Sequence, residues 1–127
     1  MKKLVLSALA IALSFSTISA TNLHKVPVES TVSYSVKISA FCSLIKEGNY
    51  EAVKSLIENG TNINRKSTGL TPLMFAARYN KTKIVKLLIS KGAKLKTKSD
   101  RGFTALQYAK MSKATESYNL ISEALKK

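Results

Sequence analysis

The feature that most limits how this 127-residue chain can fold is an internal repeat. Gly69 to Ala77 reads GLTPLMFAA, and Gly102 to Lys110 reads GFTALQYAK; Gly, Thr, Leu and Ala recur in register at a shift of 33 residues. Upstream, Val53-Lys54-Ser55-Leu56-Ile57-Glu58-Asn59-Gly60 aligns with Val85-Lys86-Leu87-Leu88-Ile89-Ser90-Lys91-Gly92 at a shift of 32, so one extra residue lies in a connection of the second unit. A period of this size implies stacked units, each too small to bury its own apolar face.

Local chemistry predicts the elements of one unit. Pro72 suits the first turn of a helix, and Thr71 before it can cap the free amides. The middle unit is therefore expected to hold one helix over about Pro72 to Tyr79 and a second over about Lys83 to Ser90. Ile84, Val85, Leu87 and Leu88 form the apolar face of the second helix, with Lys83, Lys86 and Ser90 opposite. Ala76 and Ala77 allow close packing. The turns fall at Gly48, Asn80 and Lys113, and Gly60 and Gly92 close the second helices. Glycine and asparagine tolerate a left-handed turn, whereas lysine does not, so the last turn is expected to differ.

Thr-Pro-Leu opening a first helix and Val-x-x-Leu-[Leu/Ile]-x-x-Gly closing a second resembles the ankyrin repeat. The middle unit, GLTPLMFAARYNKTKIVKLLISKGAKL, follows that pattern nearly throughout, with Met74 in place of the usual histidine. The first unit keeps FCSLIKEGNYEAVKSLIENGTNIN without Thr-Pro, and the last has Ala105 and Gln107 at the proline and histidine positions. The resemblance implies an all-α ankyrin-repeat solenoid of about three helix-turn-helix repeats with β-turn fingers, over 36–127 (about 36–66, 67–98 and 99–127).

Before the repeats, Met1-Lys2-Lys3, the apolar stretch Leu4 to Phe15 and the small residues up to Ala20 read as a bacterial-style signal peptide over 1–20. The apolar core is short of the roughly 20 residues a membrane span needs. Residues 21–35 read as a linker or extension, in which Val32, Tyr34 and Val36 alternate as in a short strand. The expected location is therefore periplasmic or secreted. Loss of Lys2 and Lys3 would leave 19 basic and 7 acidic residues, a formal charge of +12. Export makes acidic proteins, anionic headgroups and polysaccharides the available partners, and nucleic acid is not expected.

Cys42 and His24 are the only residues of their kinds, which leaves no intrachain disulfide, cysteine-based metal site, multi-histidine ligand set or histidine triad. No enzyme activity, cofactor or metal is expected. Cys42 stands at the first-helix histidine position and reads as a small core residue, with mixed-disulfide formation the alternative. Glu47, Glu51 and Glu58 read as solvent-facing charges. Asn59-Gly60-Thr61 and Asn80-Lys81-Thr82 match the glycosylation pattern, but turn chemistry accounts for both asparagines.

The resemblance implies binding through the fingers and the exposed ends of first helices. On this chain those positions are Lys66, Thr68, Leu70, Arg78, Tyr79, Asp100, Arg101, Phe103, Met111 and Ser112. Leu70 and Phe103 are expected to point outward and, with Arg78, Tyr79 and Arg101, to form an aromatic and arginine patch of the kind that dominates interfaces. The alternative for Phe103 is local packing. In KGAKLKTKS, an extended finger would put Lys94, Lys96 and Lys98 on one side, either keeping an edge soluble or steering an acidic partner. The expected function is non-catalytic binding of an acidic protein by a monomer, through its two fingers and concave face, including an inhibitor or accessory role toward an enzyme. The alternative is a basic protein that binds anionic membrane headgroups or polysaccharide, with only weak contact to a membrane surface.

Overall fold

The computed structural model describes residues 37–127; the expected leader, the linker and its alternating segment, and His24 lie outside the described residues. Six helices follow one another: α1 (Ala40–Glu47), α2 (Tyr50–Glu58), α3 (Pro72–Arg78), α4 (Thr82–Ser90), α5 (Ala105–Met111) and α6 (Thr115–Lys126). They pair as α1 with α2, α3 with α4 and α5 with α6. The first helices stack in one layer, α1 on α3 on α5, and the second helices in the other, α2 on α4 on α6. Among the described residues there is no strand; the nearest approach to one is the isolated bridge between Ser67 and Leu70.

The same two devices shape every unit. Thr71 and Thr104 accept from the backbone N–H of Met74 and Gln107, while the Met74 sulfur and the Gln107 amide oxygen accept in return from the cap N–H. This reciprocal arrangement satisfies amides that a helix leaves free. Ser39 makes one half of this arrangement for α1: its Oγ accepts from the Cys42 N–H at 3.2 Å, while its own N–H donates to Ser67 Oγ at 2.8 Å. Without Thr-Pro in the first unit, the sequence pattern hides this cap.

At the other end of each first helix, a left-handed residue closes the turn: Gly48 (φ 83°), Asn80 (φ 52°) and Lys113 (φ 59°). The last of these corrects the expected change of turn. The Lys113 N–H donates to the Lys110 carbonyl at 3.1 Å and the Ala114 N–H to the Ala109 carbonyl at 2.8 Å, the same pair of bonds made after Gly48 and Asn80. Those bonds and the burial of Ala114 hold lysine in a conformation it disfavours.

The core lies between the two layers. Leu73, Met74, Phe75, Ala76 and Ala77 of α3 are buried with Ile84, Val85, Leu87 and Leu88 of α4, the face expected from the sequence. Alanines at 76, 77 and 109 let α3 and α5 approach closely. Asn80 adds a polar tie: its Oδ1 accepts from both the N–H (3.2 Å) and the Oγ–H (2.8 Å) of Ser117, a fully buried residue of α6. No helix of the described residues is long and apolar enough to cross a membrane.

Candidate functional site

The two fingers differ at their tips, and the difference explains the slip in the repeat. The first is a two-residue hairpin in which Thr68 (φ 51°) and Gly69 (φ 84°) are both left-handed and Ser67 and Leu70 exchange N–H to carbonyl bonds of 2.8 and 3.1 Å. Left-handed geometry at both positions matches the twist of a tight hairpin. The second finger spans Asp100, Arg101 and Gly102, with the Ser99 N–H donating to the Phe103 carbonyl and the Gly102 N–H to the Ser99 carbonyl, each at 2.8 Å. Ser67 and Ser99 are 32 apart while Leu70 and Phe103 are 33 apart. The extra residue therefore sits at the second tip.

The fingers are laced together. The Asp100 N–H donates to the Gly69 carbonyl at 3.0 Å, and the Lys94 N–H donates to the Asn64 Oδ1 at 2.9 Å. Lys66 Nζ lies 3.2 Å from Asp100 Oδ1. Two of the predicted contact residues are thus partners of one another, in an exposed pair that contributes no more than about 1 kcal/mol.

The remaining predicted residues fall at the ends of two first helices and beside the fingers. Arg78 and Tyr79 sit at the end of α3, where the Arg78 guanidinium lies 5.8 Å and the Lys46 ammonium 5.4 Å from the Tyr79 ring centre. Two cations on one ring make an attractive but solvent-weakened contact. Lys46, from the end of α1, is a neighbour that the repeat pattern did not select. Met111 and Ser112 lie exposed at the corresponding end of α5. Phe103 is 36% exposed and sets its ring edge-on to Tyr108 at 5.9 Å, so the outward position and the local packing are both present. Leu70 departs from expectation: it is half-buried and packs against the core beneath the hairpin.

Lys94, Lys96 and Lys98 are exposed while Leu95 and Thr97 are half-buried, so exposure alternates as expected although the segment is not a strand. Cys42 is 1% exposed inside α1, and burial pushes its thiol above the ordinary value of 9.0, against the smaller opposing effect of hydrogen bonds from Ser39 and Ser67. A buried, protonated thiol is the inert form, which supports the core reading over mixed-disulfide formation. Asn59 and Asn80 end helices, as turn chemistry required. Among the described residues no three His, Cys, Asp or Glu side chains cluster as metal ligands.

Stacked helix-turn-helix units with projecting fingers define a repeat scaffold of the interaction class. The chain belongs to the ankyrin-repeat family: a three-copy ankyrin-repeat model matches residues 41–126. Curated relatives include the putative ankyrin repeat protein L92 of Acanthamoeba polyphaga mimivirus, 39% identical over 43% of this chain and 14% of the relative. M-phase phosphoprotein 8 of Rattus norvegicus is 38% identical over 51% of this chain and 8% of its own length. Among solved structures, a chain of the complex between the Bd0816 predatory endopeptidase from Bdellovibrio bacteriovorus and immunity protein Bd3460 is 34% identical, with a TM-score of 0.65, over 69% of this chain and 47% of that one. The human ASB11 ankyrin repeat domain is 25% identical with a TM-score of 0.64, over 68% and 39% of the two chains. The chain thus spans less than half the length of each of these relatives. Ankyrin repeats serve protein–protein interaction, in general without catalysis.

Proposed function

We propose that this chain is an exported, monomeric, non-catalytic binding protein that holds an acidic protein partner on its fingers and concave helix face. One observation carries the reading: Arg78 and Arg101 line one hollow, with Tyr79 beside Arg78 and Phe103 against Tyr108 of the same lining, and neither guanidinium has an ion-pair partner among the described residues. Such groups dominate interface energetics when a partner desolvates them. The exposed lysines at 94, 96 and 98 support steering of an acidic partner. The endopeptidase–immunity complex among the structural neighbours is consistent with an inhibitor or accessory role toward an enzyme. The leader at 1–20 supports export.

The charge supports a second reading, attachment to anionic headgroups or polysaccharide. The two separate in a capture experiment on the periplasmic and secreted fractions of the host at low and moderate salt. A protein interface retains its partner at moderate salt and weakens about tenfold or more on Tyr79→Ala or Phe103→Ala. Surface attachment ignores both substitutions and disappears as salt screens the lysines. If the protein retains nothing beyond what polylysine retains, the partner-binding reading fails.

A further inference from the structure

Between the two finger tips and the end of α3 lies a hollow of about 210 Å³, walled in part by Thr68, Leu70, Arg78, Ser99, Arg101 and Tyr108. It draws residues from two repeats, and the second tip, one residue longer than the first, contributes Arg101. Both arginines are free: the ion pairs among the described residues are Lys66 with Asp100 and Lys126 with Glu123. Asp100 also lines the hollow, but its Oδ1 is engaged by Lys66 at 3.2 Å.

The floor offers a further donor. Ser99 Oγ accepts from the N–H groups of Arg101 and Phe103, each at 3.2 Å, and lies 2.9 Å from Tyr108 Oη. The Tyr108 O–H donates to Ser99 Oγ, and the Ser99 hydroxyl hydrogen has no acceptor among the described residues. Tyr108 is itself nearly buried and lines the hollow.

Two forked guanidiniums and a hydroxyl donor suit a small planar anion with acceptor oxygens. The carboxylate of Asp100 in the same wall repels a dianion more than a monoanion, which favours carboxylate over phosphate. Leu70 lines the hollow, and Phe103, edge-on to Tyr108 of the same lining, adds apolar surface beside the charge. We infer that the hollow receives one carboxylate of the partner polypeptide, from an Asp or Glu side chain or from its chain end, with an apolar neighbour seated on that surface. This inference rests on the proposed partner-binding reading and specifies where the acidic partner is held.

The test is a titration of the full chain, followed by the Nε–H signals of its arginines in ¹H–¹⁵N spectra at moderate salt. The probes are N-acetyl-Phe-Glu-amide, N-acetyl-Gln-Phe with a free carboxyl end, N-acetyl-Phe-Gln-amide as neutral control, and inorganic phosphate. The expected result is saturable movement of Arg78 and Arg101 by one of the carboxylate probes, with affinity on the order of millimolar for so small a ligand. Which of the two probes acts tells side chain from chain end. Arg78→Gln and Arg101→Gln, both at exposed positions, should each weaken that response about fivefold or more, and Lys94→Gln about twofold or less. Equal response to the neutral probe, tighter binding of phosphate, or shifts centred on Lys94 to Lys98 overturns the inference. So does an absence of saturation. If partner capture survives both arginine substitutions, the hollow is not the docking point even though the chain binds a protein; if capture fails in the wild type, the broader reading falls instead.

Discussion

Asn80 and Ser117 stand 37 residues apart in sequence, yet one amide oxygen of the former takes both donors of the latter. The contact joins the turn of the middle repeat to the second helix of the last, in a place from which water is excluded on the Ser117 side. Glycine would suit the left-handed backbone of position 80 better than asparagine. Even so, Asn80→Gly is expected to destabilise the chain by about 1–3 kcal/mol, because it leaves buried donors unmet. Ser117→Ala should cost less, since the backbone N–H keeps its acceptor. Urea denaturation of both variants checks the order; a stabilised Asn80→Gly would mean that the tie contributes nothing.

Lys113 makes the opposite case. It has the left-handed φ of the turn without glycine's freedom or a side-chain tie like that of Asn80. Lys113→Gly should therefore raise stability by about 0.5–1 kcal/mol, the relief of backbone strain exceeding the added freedom of the unfolded chain. Thermal melting gives the readout, and a lower midpoint would contradict the strain.

Gly69 carries a second constraint besides its φ of 84°. A Cβ there would lie 2.8 Å from Asp100 Oδ2, so the carboxylate would have to swing off Lys66. At Gly60, with a φ of 94°, a Cβ meets nothing within 4 Å. Both alanine substitutions incur the left-handed penalty of about 1–2 kcal/mol, and Gly69→Ala should exceed Gly60→Ala by up to about 1 kcal/mol for the lost pair and the crowding. Equal costs would show that the fingers part without resistance.

Cys42 should react with thiol reagents only when the fold opens. Burial raises its pKa in the folded state, so folding favours the protonated thiol. Its contribution is complete below the ordinary value of 9.0 and declines as pH rises from there toward the higher native value. The stability difference between the wild type and Cys42→Ala should accordingly narrow above pH 9.0, and the labelling rate should track unfolding. Rapid labelling of the native chain at neutral pH would refute the buried thiol.

Much of the fold is legible in short-range chemistry. Thr71 and Pro72 mark the start of α3, Ile84 to Leu88 mark the buried face of α4, and Gly48 and Asn80 mark turns, because each acts within one helical turn of itself. Ser39 was less visible: it caps α1 as Thr71 caps α3, but the alanine after it hides the correspondence that proline displays elsewhere. Leu70 was misplaced for a related reason. A residue between a turn glycine and a capping threonine looks free in the pattern, whereas the tight hairpin folds its side chain down onto the core.

The repeat, its helices and the surplus of positive charge can be read straight from the chain, since periodic burial and local capping follow from spacing alone. The tertiary structure alone divides the surface. It spent Lys66 on Asp100, set Lys46 beside Tyr79, kept Lys113 in a strained turn and brought Arg78 and Arg101 to one hollow. Apart from the Lys113 turn, each of those outcomes depends on how one repeat stacks on the next, and residues more than 20 apart have no local signal for that distance.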